Sequence, residues 1–356
     1  MAYTTINKST DHFTTTTWTG DNTTPKTFTT GTFKPDWLWG KNRSQSYSHQ
    51  IYDTTRGAGN DKELVSDTNG AQGASNPETY GYVSAFTSTG FTATKGTDSA
   101  GYDYWNENPD NYVAWSWKAN GGTTASNSNG SITSTVQANT TAGFSIVTWT
   151  GSGANATIGH GLGVVPAMII VKNLSATESW VIYHHKNTSA PETDFLRLNS
   201  DAATADGNTV WNDTAPTSSV FTVSTSPAAN GNGNNMIAYC FAEKTGYSKF
   251  GSYTGNNASE NVFVYTGFKP KFFITKRTSA TAQWVLWDGT RDTSNPMLKF
   301  VYPSTNGAEG SSAYIDFLSN GVKVRDNNNK WGNGTYIYMA FGQSLVGTNN
   351  IPAVAF

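Results

Sequence analysis

The chain has 356 residues, of which 13% are charged, and its formal net charge is −2. So balanced a charge gives no field for gripping phosphate backbones or anionic membranes, so nucleic acid is excluded as an expected partner. Hydrophobic residues make up 36% and aromatic residues 13%, with 12 Trp, which points to a folded chain whose core area comes from aromatic rings.

In chain order, the opening MAYTTINKST has no cationic stretch ahead of an apolar one, so no secretory leader is expected. A Trp18-Thr19-Gly20 element comes next and recurs as Trp149-Thr150-Gly151 and Tyr253-Thr254-Gly255. Each glycine precedes a proline by fifteen residues, at Pro35, Pro166 and Pro270. Six residues past each proline stands Lys41, Lys172 or Lys276; fourteen past it, His49, Trp180 or Trp284; eighteen past it, Asp53, His184 or Asp288. Further on come Gly90-Phe91-Thr92, Val220-Phe221-Thr222 and Gly321-Val322-Lys323, and each unit closes on an aromatic-rich run at 112–117, 236–241 or 336–341. Four such spacings in the same order mark a threefold internal repeat.

The units are too long for a solenoid period and large enough to own a core. The spacing therefore predicts three tandem domains, at 1–120, 131–246 and 247–345, followed by an extended arm at 346–356. Residues 120–130 read as a Gly/Ser/Asn linker, and the junction at 244–249 is short. Within each unit, short runs rich in Val, Ile, Thr, Tyr, Phe and Trp alternate with Gly, Asn, Asp and Pro, so the predicted fold is all-β, of jelly-roll-like β-sandwiches. The run after each proline is apolar on both faces (Trp37-Leu38-Trp39, Met168-Ile169-Ile170, Phe272-Phe273-Ile274), as in a strand covered on two sides. Small residues in the closing runs, Ser116, Cys240 and Ala340, are expected to let an opposing sheet approach. No apolar run nears the ~20 residues of a membrane span.

Catalytic signatures are missing from the sequence: there is no G-x-S-x-G, H-E-x-x-H or phosphate loop. Gly159-His160-Gly161-Leu162-Gly163 precedes a strand and reads as a turn. His184 and His185 are adjacent, so in a strand they are expected on opposite faces, and His49 shares a position with two tryptophans, which suggests packing. Cys240, the single cysteine, is expected to be buried and inert. Asp53 and Asp288 are each followed three residues later by Arg56 or Arg291, which favours an ion pair pinning a hairpin over a glycosidase carboxylate pair. Asp21 and residues 326–329 lack calcium-loop spacing and read as turns. No catalytic residue, metal or cofactor is expected.

The loops before the closing runs differ between units while the framework keeps its spacing, and such loops are where recognition is commonly placed. Tyr102, Tyr104, Trp105, Asn106 and Trp331 are therefore the candidate ligand or receptor contacts, since rings stack and amides hydrogen-bond. The alternative is that these aromatics cover the sandwich end or pack on a neighbouring subunit. Ile351, Val354 and Phe356 in the arm are the candidate assembly contacts.

The opening 1–9, the phrase Phe33-Lys34-Pro35-Asp36-Trp37-Leu38-Trp39, its echo Gly267-Phe268-Lys269-Pro270 and the stretch 336–350 together resemble a family of virion proteins of marine bacteriophages, including cyanophages. The resemblance covers nearly the whole chain and is weakest in the second unit, where Val164-Val165-Pro166 replaces the aromatic-basic phrase. It implies a non-enzymatic particle component at the phage surface, made in the host cytoplasm, most often a tail fibre or appendage for host attachment. A capsid-bound decoration protein is the alternative, and a polysaccharide depolymerase a remoter one. Other virion proteins, host polysaccharide or an outer-membrane receptor are the partners so implied, with a homo-oligomer, a trimer first, as the expected assembly.

Overall fold

Residues 4–325 and 332–344 are described by a computed structural model, and their regular structure is almost wholly antiparallel strand, with helices of one turn such as Pro77–Tyr80. The apolar run after each proline becomes a strand flanked on both sides. In the first unit, β1 (Phe13–Thr19), β2 (Trp37–Asn42), β3 (Gln50–Asp53) and β4 (Asn111–Trp117) form a sheet in the order β1-β4-β2-β3. In the second, β5 (Phe144–Thr150), β6 (Met168–Asn173), β7 (Val181–His184) and β8 (Asn235–Phe241) follow the same order, β5-β8-β6-β7, inside a sheet extended at both edges. In the third, β9 (Ser248–Asn256), β10 (Lys269–Arg277), β11 (Val285–Asp288) and β12 (Asn333–Gln343) are ordered β9-β12-β10-β11.

Strand alternation then sorts the apolar residues into two populations. Trp37 and Trp39 lie opposite Trp117 and Trp115, Ile170 opposite Tyr239, and Phe272 opposite Phe341. These rows, with Phe13, Phe144, Ile237 and Ile337, make one central cluster that draws on all three sheets. Their neighbours point the other way. Leu38 joins Phe28, Val83 and Phe91; Ile169 and Cys240 join Val147 and Phe221; Phe273 and Ala340 join Trp287 and Val322. Each of those lateral clusters lies between an inner sheet and an outer one, such as Lys26–Thr29 with Gly90–Thr94 and Tyr82–Phe86. The shared centre departs from three cores standing apart. It forms because strands apolar on both faces have a second face to bury.

The repeated polar positions join the units in a ring. Asp53 accepts a hydrogen bond from the Tyr239 hydroxyl at 2.8 Å, unit one to unit two. At the equivalent position, His184 Nε2 lies 3.1 Å from the carbonyl of Tyr338, unit two to unit three. Asp288 accepts from Trp115 Nε1 at 3.0 Å, unit three to unit one. The positions of His49, Trp180 and Trp284 run round the ring in the opposite sense, to the carbonyls of Tyr302, Val65 and Arg197 at 3.2, 2.8 and 2.8 Å. So do the three lysines. Lys41 reaches the carbonyl of Asn306, Lys172 that of Asn69 and Lys276 that of Asp201, at 3.1, 3.0 and 3.2 Å. All three ammonium groups stand at the end of an inward row, two residues past the last inward apolar side chain.

Both expected ion pairs form: Arg56 Nε is 2.5 Å from Asp53, and Arg291 pairs with Asp288 with its side chain fully buried. Glu309 holds Arg291 and also Arg43 of unit one, at 3.0 and 2.8 Å. The glycine of each W/Y-T-G element is needed for close approach. A Cβ on Gly20, Gly151 or Gly255 would lie 2.0, 2.2 or 2.2 Å from a carbonyl oxygen of the loop ahead of the closing strand.

Two expectations are corrected. Residues 120–130 are not a free linker: Ala125–Asn127 forms an edge strand, the Gly121 amide donates to Asp36 and the Gly122 amide to Gln137. His184 and His185 do not face apart, because β7 ends at His184. Their rings sit 5.5 Å apart and both reach unit three, His185 through Nε2 at 2.8 Å from the Phe250 carbonyl.

Candidate functional site

Tyr112 is the second residue of β4, and its hydroxyl anchors the preceding loop. It donates to the Asp103 carbonyl at 2.9 Å and accepts from the Glu107 amide at 2.8 Å. Asn42 on neighbouring β2 donates to Tyr112 and to Asp110, fixing the loop to the sheet. The Tyr104 amide donates to the Tyr80 carbonyl at 2.8 Å, which draws the single-turn helix Pro77–Tyr80 alongside.

On this frame Tyr47, Tyr80, Tyr102, Asp103 and Tyr104 line a cleft of about 230 Å³. The Tyr47 ring meets Tyr102 at 90° and Tyr104 at 78°, with centroids 5.9 Å apart in each case, and Tyr80 meets Tyr104 at 62° and 5.5 Å. The Tyr47 hydroxyl donates to Glu107 at 2.9 Å, and burial, with that carboxylate, raises the phenol above its usual range. Asp103 is buried, which raises its carboxyl, while hydrogen bonds from the Trp105 and Asn106 amides oppose the shift. Gly81 is left-handed, at φ +97°, and a Cβ there would press on Asp103 Oδ1 at 2.6 Å.

Of the sequence candidates, the fold brings Tyr102, 48% exposed, and Tyr104 to the cleft. Trp105 and Asn106 are corrections. Trp105 is buried against Phe91, with centroids 5.1 Å apart, because the loop turns it into the lateral core. Asn106 is buried too, and its amide donates to Asp21 and to the Thr23 carbonyl at 2.7 and 2.9 Å. Trp331, Ile351, Val354 and Phe356 lie outside the described residues, as does 326–329. Tyr47 and Tyr80 were not identifiable from the loop, since they are remote in sequence. Asp103 lies in the same loop, and nothing in the sequence marks it.

Elsewhere three histidines and the three repeated lysines are enclosed. His49, His160 and His184 each accept an amide or indole N–H at Nδ1 and face a carbonyl through Nε2, so the network assigns each the neutral Nε2–H form. Burial drives His49 well below its ordinary value and His184 to about 3. It also lowers Lys41 to about 7 and Lys172 and Lys276 to about 8. Burial raises the Cys240 thiol, which suits an inert side chain. A second, polar groove of about 450 Å³ lies between units one and two, lined by threonines with Arg56 and Lys62. Arg56 is engaged there by Asp53 and Gln72.

A family model described as a domain of unknown function (DUF7483) matches residues 8–344. No curated protein matches the sequence.

Proposed function

The chain belongs to the DUF7483 family, and we propose that it is a non-enzymatic component of a bacteriophage particle, a tail fibre or appendage protein that contacts the host surface through the tyrosine cleft of unit one. One observation carries the reading: the repeated charged positions are enclosed in joints between units, while the loop ahead of the closing strand of unit one presents an exposed ring, Tyr102, beside a cleft. A body so tied displays a loop without moving, which suits contact better than turnover. The sequence resemblance to marine phage virion proteins supports the particle setting. Other particle proteins and a host polysaccharide or outer-membrane receptor are the partners in this reading, with self-association into a trimer.

Electron microscopy of intact particles labelled for this chain tests it. Label on the tail is the expected result, and its absence from particles refutes the proposal. Label on the head alone selects the second reading, a capsid-bound decoration protein. Phe263 and Tyr265 favour that reading, being 45% and 60% exposed on the edge strand Phe263–Tyr265. Host glycan is expected to keep its chain length on incubation with the protein, and shortening would restore the depolymerase reading.

A further inference from the structure

The geometry points to the tyrosine cleft as a site for a small organic cation, a quaternary alkylammonium group held between Tyr47, Tyr102 and Tyr104 above the Asp103 carboxylate. The inference deepens the contact reading by naming the chemistry the cleft takes. Three features select a cation. First, the Tyr102 and Tyr104 rings stand at 90° and 78° to the Tyr47 ring. A sugar stacks best on one open, flat ring face, whereas mutually perpendicular rings enclose a compact, roughly spherical group and turn more than one π-face towards it. Second, the surrounding charge is negative: Asp103 is in the lining, Glu107 accepts from Tyr47 and Asp98 accepts from the Tyr102 amide at 3.0 Å. Glu63 and Asp67 also act electrostatically on Tyr104, and Lys95 is the opposing cation near Asp103. Third, the cleft of about 230 Å³ falls below the ~300 Å³ at which pockets for drug-sized ligands begin, so it takes one small group. The hydrogen bond from Tyr47 to a carboxylate also enriches that ring's face in electron density, which strengthens its pull on a cation.

The test titrates the full chain with choline chloride, following the N-methyl proton signal by saturation-transfer NMR and the heat by calorimetry. 3,3-Dimethylbutan-1-ol is the uncharged control of the same shape, and glucose the sugar control. Choline is expected to saturate, with binding at least tenfold tighter than the uncharged isostere. Tyr102→Ala is expected to abolish binding, and because Tyr102 is 48% exposed the variant is expected to fold, as circular dichroism checks. Asp103→Asn is expected to weaken choline without changing the isostere. Vesicles of phosphatidylcholine separate a lipid headgroup from a soluble ammonium as the source. Equal binding of choline and isostere, tighter binding of glucose, or no saturation at millimolar choline overturns the inference. Particle imaging still decides the contact reading in each of those cases.

Discussion

Trp37 and Leu38 are neighbours on β2 that face opposite sides, and truncating each one measures how far the units are independent. The Trp37 ring lies 4.7 Å from Tyr239 and 5.7 Å from Phe241 of unit two, and 4.5 Å from Trp117 of its own unit. Its Nε1 has no partner, so the ring contributes area and stacking rather than a hydrogen bond. Trp37→Ala is expected to cost about 3–5 kcal/mol, the usual range for removing a buried large aromatic. Unfolding entropy of about 2.1 cal/mol/K per residue gives roughly 0.75 kcal/mol/K for 356 residues melting together. A loss of about 4 kcal/mol then lowers one common transition by about 5 °C. Were unit one to melt alone, as about a third of the chain, the same loss would lower its own transition by about 16 °C and leave the others in place.

Differential scanning calorimetry separates the two outcomes. The shared centre predicts one endotherm, displaced as a whole. Hydrogen exchange adds the spatial test. Trp37→Ala is expected to speed exchange in β8 of unit two, where Tyr239 and Phe241 lose a facing ring. Leu38→Ala, directed at Phe28 and Phe91, is expected to speed it mainly in Gly90–Thr94 of unit one. Separate endotherms with only one displaced, and β8 unchanged in Trp37→Ala, would refute the shared-core argument.

Tyr239→Phe removes the donor to Asp53 between units and is expected to cost about 1.5–3 kcal/mol in urea unfolding, as for a hydrogen bond to a charged group. No loss of stability would mean that this joint is idle. Gly20→Ala is expected to destabilise strongly, because the Glu107 carbonyl occupies the Cβ position at 2.0 Å and is backbone; a melting temperature equal to wild type contradicts the close-approach argument. His49 and His184 have native pKa values below the unfolded 6.5, so the unfolded chain binds more protons as pH drops through 6.5 and stability falls towards pH 3. Lys41, Lys172 and Lys276 are lowered from 10.5 to about 7, 8 and 8, so stability rises with pH between about 7 and 10. Buried tyrosines such as Tyr239 and Tyr247, raised above 10, reverse the slope beyond that point. Urea midpoints across pH 4–11 are expected to crest near pH 10, and a flat profile above pH 7 would show that the lysines are not enclosed.

Much of the fold was legible because it rests on local pattern. Apolar triplets such as Met168-Ile169-Ile170 announced strands covered on both faces, and the Asp53–Arg56 spacing announced its ion pair. The use of the second face was not legible. Whether Trp37 meets another unit depends on how sheets more than a hundred residues apart are oriented, and no local spacing encodes that. The lysines carried an unread signal: a charged residue at the end of each apolar strand, in register three times, has to find acceptors wherever the row ends. The cleft was half legible. Tyr102 and Tyr104 stood in a loop rich in rings, but Tyr47 and Tyr80 enter from other segments. Trp105 and Asn106 were misassigned because a run of polar and aromatic residues does not tell which side chains turn inward.

A ring of similar units need not carry similar sites. Asp53, His184 and Asp288 occupy matching places and make joints of different chemistry with the same connectivity, so geometry is held where composition varies. The loops ahead of the closing strands are free of that constraint. In unit two the corresponding loop folds into the turn Pro227–Asn230, whose Ala228, Ala229 and Asn230 are buried against the unit's own body. Nothing comparable to the four tyrosines is left open there. Unit one keeps its cleft because Tyr80 comes from the excursion between β3 and β4, and Tyr47 from the turn between β2 and β3. Of these two units only the first therefore offers a ring-lined opening. The three sheets around one shared core hold it in place, and segments outside those sheets supply its rings.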